Sequence, residues 1–349
     1  MELPLDRLME KAMKEHIPIR AMIELTHRCN LSCSHCYIAP TSSKELTQAE
    51  IKTLLKDLSD LGTIFLTLTG GEILVRNDFF DTCWYARELG FVLHIKTNGT
   101  LINKGRAKEI SRLSPMSLDV SLYGADAKSH DSVTGVKGSF NASIRAVKQL
   151  AALEVPVLIN TVLMRRTSSS YSEIRDLAES LGVGFQVDPV VVTKSDGSAE
   201  TIACRANDSC LADFMIDMLD DYSKSVPANK AFDEAKEARP CATGSTSVFV
   251  SADGIVSPCV LLRLNCGNVR DSSICDIWHT SEQLSQVRDI RMKHLTACSQ
   301  CDLLGYCRRC TGVAYLEDQD MYGCSAEARR QAMIYKTLIT AGLPGNGLK

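Results

Sequence analysis

Between residues 19 and 191 the chain alternates short β-branched runs with amphipathic stretches, and that alternation restricts the fold more than any other feature. Six runs read as strands: IRAMIELT (19–26), IFLTLTG (64–70), LHIKTNG (93–99), SLDVSLYG (117–124), VLINTVL (157–163) and GFQVDPVV (184–191). Between the first two lies TQAEIKTLLKDLSDLG. There Thr47 and Glu50 have capping-box spacing, Ile51, Leu54, Leu55, Leu58 and Leu61 share one face, and Gly62 ends the helix. SEIRDLAESLG repeats the design with Ile174, Leu177, Ala178 and Leu181 ahead of Gly182. Strand, helix, strand in this order predicts an α/β fold, a parallel sheet wrapped by helices as a closed or half-closed barrel.

After Val192 the alternation stops. TKSDGSAETIACRANDS is polar and turn-rich, and CLADFMIDMLDDYSKSV predicts a helix with Leu211, Phe214, Met215, Met218, Leu219 and Tyr222 on one stripe. The charged ANKAFDEAKEARP follows, and from Pro240 to about Cys324 the chain is Cys-rich and short of periodic elements. That composition is expected where bound metal, more than apolar area, stabilises a small module. The predicted organisation is an N-terminal segment (1–18), a barrel (19–192), a bridging region (193–239) and a Cys-rich domain with a C-terminal helix (240–349).

Thirty-nine Lys and Arg against 42 Asp and Glu leave a net charge of -3 and no basic block, which argues against nucleic acid as partner. No stretch is long and apolar enough to cross a bilayer, and the N-terminus, with acids at Glu2, Asp6 and Glu10, lacks an export signal. The expected location is the cytoplasm. In that reducing compartment 15 cysteines, an odd number, point to metal binding or reactivity before disulfides.

In parallel α/β barrels the reactive groups lie at the carboxyl ends of the strands. Cys29, Cys33 and Cys36 follow the first strand here, and Gly70, Gly71 and Glu72 the second. Thr97, Asn98 and Gly99 end the third, and Ser121, Tyr123 and Gly124 the fourth. Asn160 lies in the fifth, Arg165 and Arg166 just past it, and Asp188 in the sixth. The trio in CNLSCSHCY is one thiol short of a closed metal site, which points to a missing fourth ligand or to an iron left open to a small ligand.

CxxxCxxC followed by an aromatic, behind a strand and ahead of a β/α series, resembles the signature of the radical S-adenosylmethionine (SAM) enzymes. The similarity extends through TGGEI, TNGTLI and SLYGADAKSHDSVTGVKGSF to a Cys-rich tail that resembles the SPASM domain of that superfamily. The implied architecture is a partial (β/α)6 TIM-like barrel followed by a small Cys-rich SPASM domain. By this resemblance Cys29, Cys33 and Cys36 ligate a [4Fe-4S] cluster whose open iron is chelated by SAM, and His35 faces the adenine through its backbone. Gly70, Gly71 and Glu72 match the stretch that receives the SAM amino group, with Ile73 in place of the usual Pro. Thr97, Asn98, Ser121, Asn160 and Arg165 fall where further SAM contacts lie.

In the tail, Cys241, Gly254 and Cys259 resemble the opening of the SPASM pattern, and CSQCDLLGYCRRC supplies Cys298, Cys301, Cys307 and Cys310 ahead of Cys324. The resemblance implies one or two auxiliary clusters, taken as two [4Fe-4S]. Cys298, Cys301, Cys307 and Cys324 hold one; Cys241, Cys259 and Cys310 belong to the other. Its fourth ligand is Cys266, Cys275 or an open iron. Only two residues separate Cys307 from Cys310 where three are usual, which leaves the split open. A zinc ribbon is the competing reading, but its CxxC pairs stand about fifteen to twenty residues apart, whereas five residues separate Cys301 from Cys307.

The implied function is a maturase that cleaves SAM reductively and forms a thioether or carbon–carbon crosslink in a ribosomally made peptide or protein. Its implied partners are a low-potential electron donor, ferredoxin or flavodoxin, and a separate leader-recognition protein. The alternatives are a SPASM enzyme acting on a small molecule or tetrapyrrole, such as an oxidative decarboxylase of haem synthesis, and an Fe–S or zinc interaction module without catalysis. Cys83 reads as a buried small hydrophobe and Cys204 and Cys210 as structural or incidental thiols, while Tyr123 suits a hydrogen-bonded core residue as readily as a radical partner and is assigned no chemistry.

Overall fold

The computed structural model describes residues 4–167, 170–218 and 236–341. Helix α1 (Pro4–Glu15) leads into β1 (Arg20–Glu24), α2 (Gln48–Asp60), β2 (Phe65–Thr69), α3 (Phe79–Glu88), β3 (Val92–Thr97), α4 (Lys104–Leu113) and β4 (Ser117–Ser121). Two helices, α5 (Ala127–Thr134) and α6 (Ser139–Ala151), precede β5 (Val157–Val162), and α7 (Tyr171–Ser180) precedes β6 (Gly184–Asp188). All six predicted strands are present, and each pairs parallel with the next. Each ends two to three residues before its predicted limit in sequence, apart from β2 and β5, which end one residue early.

The register explains both faces. Ile23, Leu68, Ile95, Leu118 and Val157 align across five strands and are buried under the helices. One residue along, the opposite face is polar: Lys96 aligns with Asp119, and Ser121 with Asn160 and Gln186. Gly184, Gln186 and Asp188 of β6 are exposed. The sheet does not close, because β6 lies at one end of the order β6-β5-β4-β3-β2-β1, which two strands of the Cys-rich tail continue beyond β1.

The last two strands come from the Cys-rich tail. SVFV forms β7 (Ser247–Val250), parallel to β1, and β8 (Val256–Ser257) returns antiparallel to β7. The tail therefore extends the barrel sheet, which the sequence reading did not foresee. Arg270 adds a clasp: its Nε donates to Glu50 (2.6 Å), and its other nitrogens donate to the carbonyls of Lys44, Glu45 and Asp253.

The predicted capping box of α2 forms, with Thr47 Oγ1 accepting from Glu50 N (3.3 Å) and Glu50 Oε2 from Thr47 N (2.7 Å). Ile51, Leu54, Leu55 and Leu58 are buried. Helix α8 (Asp208–Asp217) buries Leu211, Phe214 and Met215 against Tyr335 of the helix Ala326–Thr340. The Leu219 and Tyr222 positions of its predicted stripe lie outside the described residues. Arg205 pairs with Glu317 and Glu327, and Arg330 with Asp208 (2.7 Å) and Glu327 (3.1 Å), tying the bridging region to the tail. Among the described residues no helix is long and apolar enough to cross a membrane.

Leu55 is fully buried in the main core. Leu55→Ala is expected to cost about 2–5 kcal/mol of stability, read from urea unfolding.

Candidate functional site

Cys29, Cys33 and Cys36 lie on the loop after β1, and their sulfurs are close enough to act on one another electrostatically. The loop is pinned to the end of α5: Ser32 N donates to Thr134 O (2.9 Å) and Ser34 N to Val133 O (3.0 Å). Burial pushes all three thiols up, Cys33 to about 12; neighbouring sulfurs add to it at Cys29 and Cys33, and the Glu24 carboxylate adds to it at Cys36. Left to themselves these groups stay protonated, so a cationic partner is what would hold them as thiolates. Leu31 N (3.4 Å) and Asn98 Nδ2 (3.9 Å) already donate to Cys29 Sγ.

The glycine turn after β2 is shaped by close approach to this loop. Gly71 N donates to Thr26 O (2.8 Å) and Glu72 N to Arg28 O (2.9 Å). A Cβ on Gly70 would meet Thr26 O at 2.5 Å, and one on Gly71 would meet Arg28 O at 2.4 Å. Glu72 is fully buried with its carboxylate turned inward, accepting from Thr97 Oγ1 (2.8 and 2.9 Å), Asn98 N (2.7 Å) and Leu74 N (3.0 Å). Burial raises its pKa against those hydrogen bonds. Asn98 in turn donates to Asn30 Oδ1 (2.9 Å), so Glu72 and Thr97 act on the cysteine loop through Asn98.

The other predicted contacts surround the same mouth. The His35 ring meets Tyr123 edge-on at 4.5 Å, and its Nδ1 is buried without a hydrogen-bond partner. Ser121 bonds the Tyr123 hydroxyl, and Tyr123 feels the charge of all three thiols. Asn160 Oδ1 is a second buried atom without a partner. Orphaned polar atoms beside a thiol trio fit a bound polar molecule. Arg165 is exposed past β5, with its N–H on Cys204 O (2.9 Å), and the Cys204 thiol donates to Ser34 O (3.5 Å), against the cysteine loop.

The tail thiols fall into two sets. Cys241, Cys259 and Cys310 act on one another, and each sulfur accepts backbone N–H groups: from Ala242 and Thr243, from Leu262 (3.2 Å), and from Gly312 and Val313. Cys298, Cys301, Cys307 and Cys324 form the other set, with Cys307 pushed up to about 12 by burial and by its three neighbours. Both the amide-cradled thiols and the mutual coupling suit iron–sulfur ligation. Arg309 is felt by both sets and donates to Gly323 O, Met321 O and Thr311 Oγ1.

Cys266 joins neither set. Its thiol is buried in the main core, donates to Leu264 O (3.3 Å) and is pushed by burial to about 12 beside Ser281 and Arg288. Cys275 faces Asp57 O on α2 (3.7 Å). Cys83 is in the core as predicted, and Cys210 is on α8.

Sequence reasoning missed Glu24 and Arg263, and read Tyr37 only as the aromatic that closes the thiol motif. Glu24 is fully buried at the end of β1 and accepts from Tyr37 Oη (3.1 Å) and Arg263 Nη2 (2.7 Å). The one signal in the sequence was an acid inside an apolar strand, IRAMIELT.

Family models for the Radical SAM superfamily and for the SPASM iron–sulfur cluster-binding domain match residues 23–179 and 241–311. The chain belongs to the radical SAM superfamily and carries a SPASM domain. This radical SAM–SPASM chain is 29% identical over 339 residues to the AdoMet-dependent heme synthase of Nitratidesulfovibrio vulgaris, a match covering 88% of this chain and 92% of that protein. It is 26% identical to the antilisterial bacteriocin subtilosin biosynthesis protein AlbA of Bacillus subtilis, over 84% of this chain and 67% of that one. The fold is that of Streptococcus suis SuiB, solved bound to its precursor peptide SuiA, at a TM-score of 0.71 and 20% identity, covering 94% and 81% of the two chains. Radical SAM enzymes use SAM and iron–sulfur clusters, and the thiol sets of this chain fit such a cofactor set.

Two expectations follow. A Cβ on Gly312 would meet Leu261 and Leu262 at 2.7–2.8 Å, so Gly312→Ala separates the Cys310 turn from the Cys259 loop; iron analysis should show loss of tail-bound iron. His130, 1% exposed, accepts from Tyr123 N, and burial pushes its pKa from 6.5 down to about 4. Its contribution is complete above pH 6.5 and lost as pH falls towards 4. Up to about 3 kcal/mol of stability should go over that window, and His130→Gln should flatten the fall in urea midpoints.

Proposed function

We propose that this radical SAM enzyme oxidatively modifies a peptide or protein, forming a thioether or a carbon–carbon crosslink. The observation that carries the reading is the gathering of ten cysteines into one trio at the barrel mouth and two separate sets in the tail. Cys29, Cys33 and Cys36 hold the first [4Fe-4S] cluster. Gly70, Gly71, Asn98, Ser121, Asn160 and Arg165 contact SAM, and the His35 backbone faces its adenine. Glu72 and Thr97 serve by holding the turn and the Asn98 loop. Bound SAM and its cluster supply a 5′-deoxyadenosyl radical able to take hydrogen from an unactivated C–H bond.

Cys298, Cys301, Cys307 and Cys324 complete one auxiliary cluster, and Cys241, Cys259 and Cys310 hold a second with one position not filled by a thiol. Residues 19–192 are the catalytic barrel, 193–239 the bridge and 240–349 the auxiliary domain. A peptide substrate is supported by the open edge at β6, where Gln186 and Asp188 meet water, and by similarity to AlbA and to SuiB with its precursor peptide. The partners are a ferredoxin or flavodoxin donor and a separate leader-recognition protein. A second reading, decarboxylation of a tetrapyrrole, is favoured by the match to AdoMet-dependent heme synthase along 92% of that protein.

Anaerobic reconstitution should give about twelve irons per chain if three [4Fe-4S] clusters form. Mass spectrometry after incubation with SAM and a reductant separates the substrates: a precursor peptide becomes lighter by a pair of hydrogens alone, whereas each propionate of a tetrapyrrole that becomes a vinyl group loses carbon dioxide together with a pair of hydrogens. Cys29→Ala should abolish 5′-deoxyadenosine formation. Cys324→Ala should leave SAM cleavage running without product; equal loss of cleavage in both would overturn the division of roles.

A further inference from the structure

Glu24 collects three side chains from two loops on one buried carboxylate. Oε1 accepts from Tyr37 Oη at 3.1 Å and Arg263 Nη2 at 2.7 Å, and Oε2 accepts from Arg263 Nη1 at 3.4 Å and lies 3.7 Å from His27 Nε2. Tyr37 follows Cys36 directly and His27 stands two residues before Cys29, so the negative end of the pair lies beneath both ends of the first cysteine loop. Arg263 belongs to the other side: its Nε donates to the carbonyl of Val260, the neighbour of Cys259 (3.1 Å). Its guanidinium lies between the rings of Phe249 (4.7 Å) and Tyr37 (5.4 Å), with the side chain 15% exposed.

We propose that the Glu24–Arg263 pair sets the reduction potentials of the Cys29 and Cys259 clusters apart, holding the first lower and the second higher; this rests on the iron–sulfur reading above. A fixed negative charge beside a cluster makes an added electron less favourable, and a positive charge makes it more favourable. In a site this buried, salt screens both charges much less than it screens surface ones. The oriented pair favours an electron on the auxiliary side, the direction in which oxidation of a substrate must deliver it. Glu24 and Arg263 are positioning residues, touching neither substrate nor the reacting atoms.

The test is a redox titration of the reconstituted protein followed by electron paramagnetic resonance. Glu24→Gln is expected to raise the midpoint of the first cluster more than that of the second. Arg263→Met is expected to lower the second more than the first, so the gap narrows in both, whereas Arg263→Lys keeps it. Either single neutral variant leaves a buried charge unpaired and risks misfolding; the double variant Glu24→Gln/Arg263→Met removes both charges together and should narrow the gap most. Variants with full iron content and the wild-type gap would overturn the proposal. Wild-type protein that takes up no iron and sulfide would instead remove the reading on which it rests.

Discussion

A carboxylate taken out of water costs several kcal/mol unless hydrogen bonds and countercharge replace its hydration. Glu24 and Glu72 are both completely buried at the carboxyl ends of neighbouring strands, and the loops that carry the chemistry are what satisfy them. Glu72 gathers the amides of Leu74 and Asn98 and the hydroxyl of Thr97. Glu24 gathers Tyr37 and Arg263. Neither loop can drift without stranding a buried charge, so the site is rigid because its foundations are polar.

The tail is fixed by a different economy of contacts. Its own apolar cluster around Ile290, Leu295 and Cys298 is small, and it leans on the barrel through β7 and through the Arg270 clasp. Close backbone approach does the rest: Gly312 seats one cysteine turn on Leu261, and Gly254, at φ +90°, lets the turn between β7 and β8 pass Asn268 and Leu46. A small module with little core of its own gains most from metal and from borrowed sheet.

Strands and helices with local signals were legible: the capping box at Thr47, the Ile51 to Leu58 face and all six parallel strands follow from patterns a few residues long. So did the thiol trio, whose spacing is local. What depends on distant partners was not legible. SVFV is a short apolar run whose pairing with β1 is invisible in the sequence, and Glu24 meets Arg263 only after the whole barrel has intervened. Cys266 looked like a ligand because it lies near other cysteines in sequence, yet Gly267 and the return of β8 turn it into the core. Only two residues separate Cys307 from Cys310, yet a helix begins directly after Cys310, and Gly312 in its first turn packs against Leu261 and Leu262.

The seat of β1 in the middle of the sheet carries a consequence for biosynthesis. Its partner on one side, β2, leaves the ribosome soon after it, but Ser247 and the rest of β7 emerge only in the last third of the chain. Until then one flank of the strand that leads into the first thiols offers bare N–H and C=O groups to any passing strand. Pairing over so long a loop is slow, so the nascent protein carries a sticky, half-finished edge through most of its translation, and the arrival of the tail is what seals it.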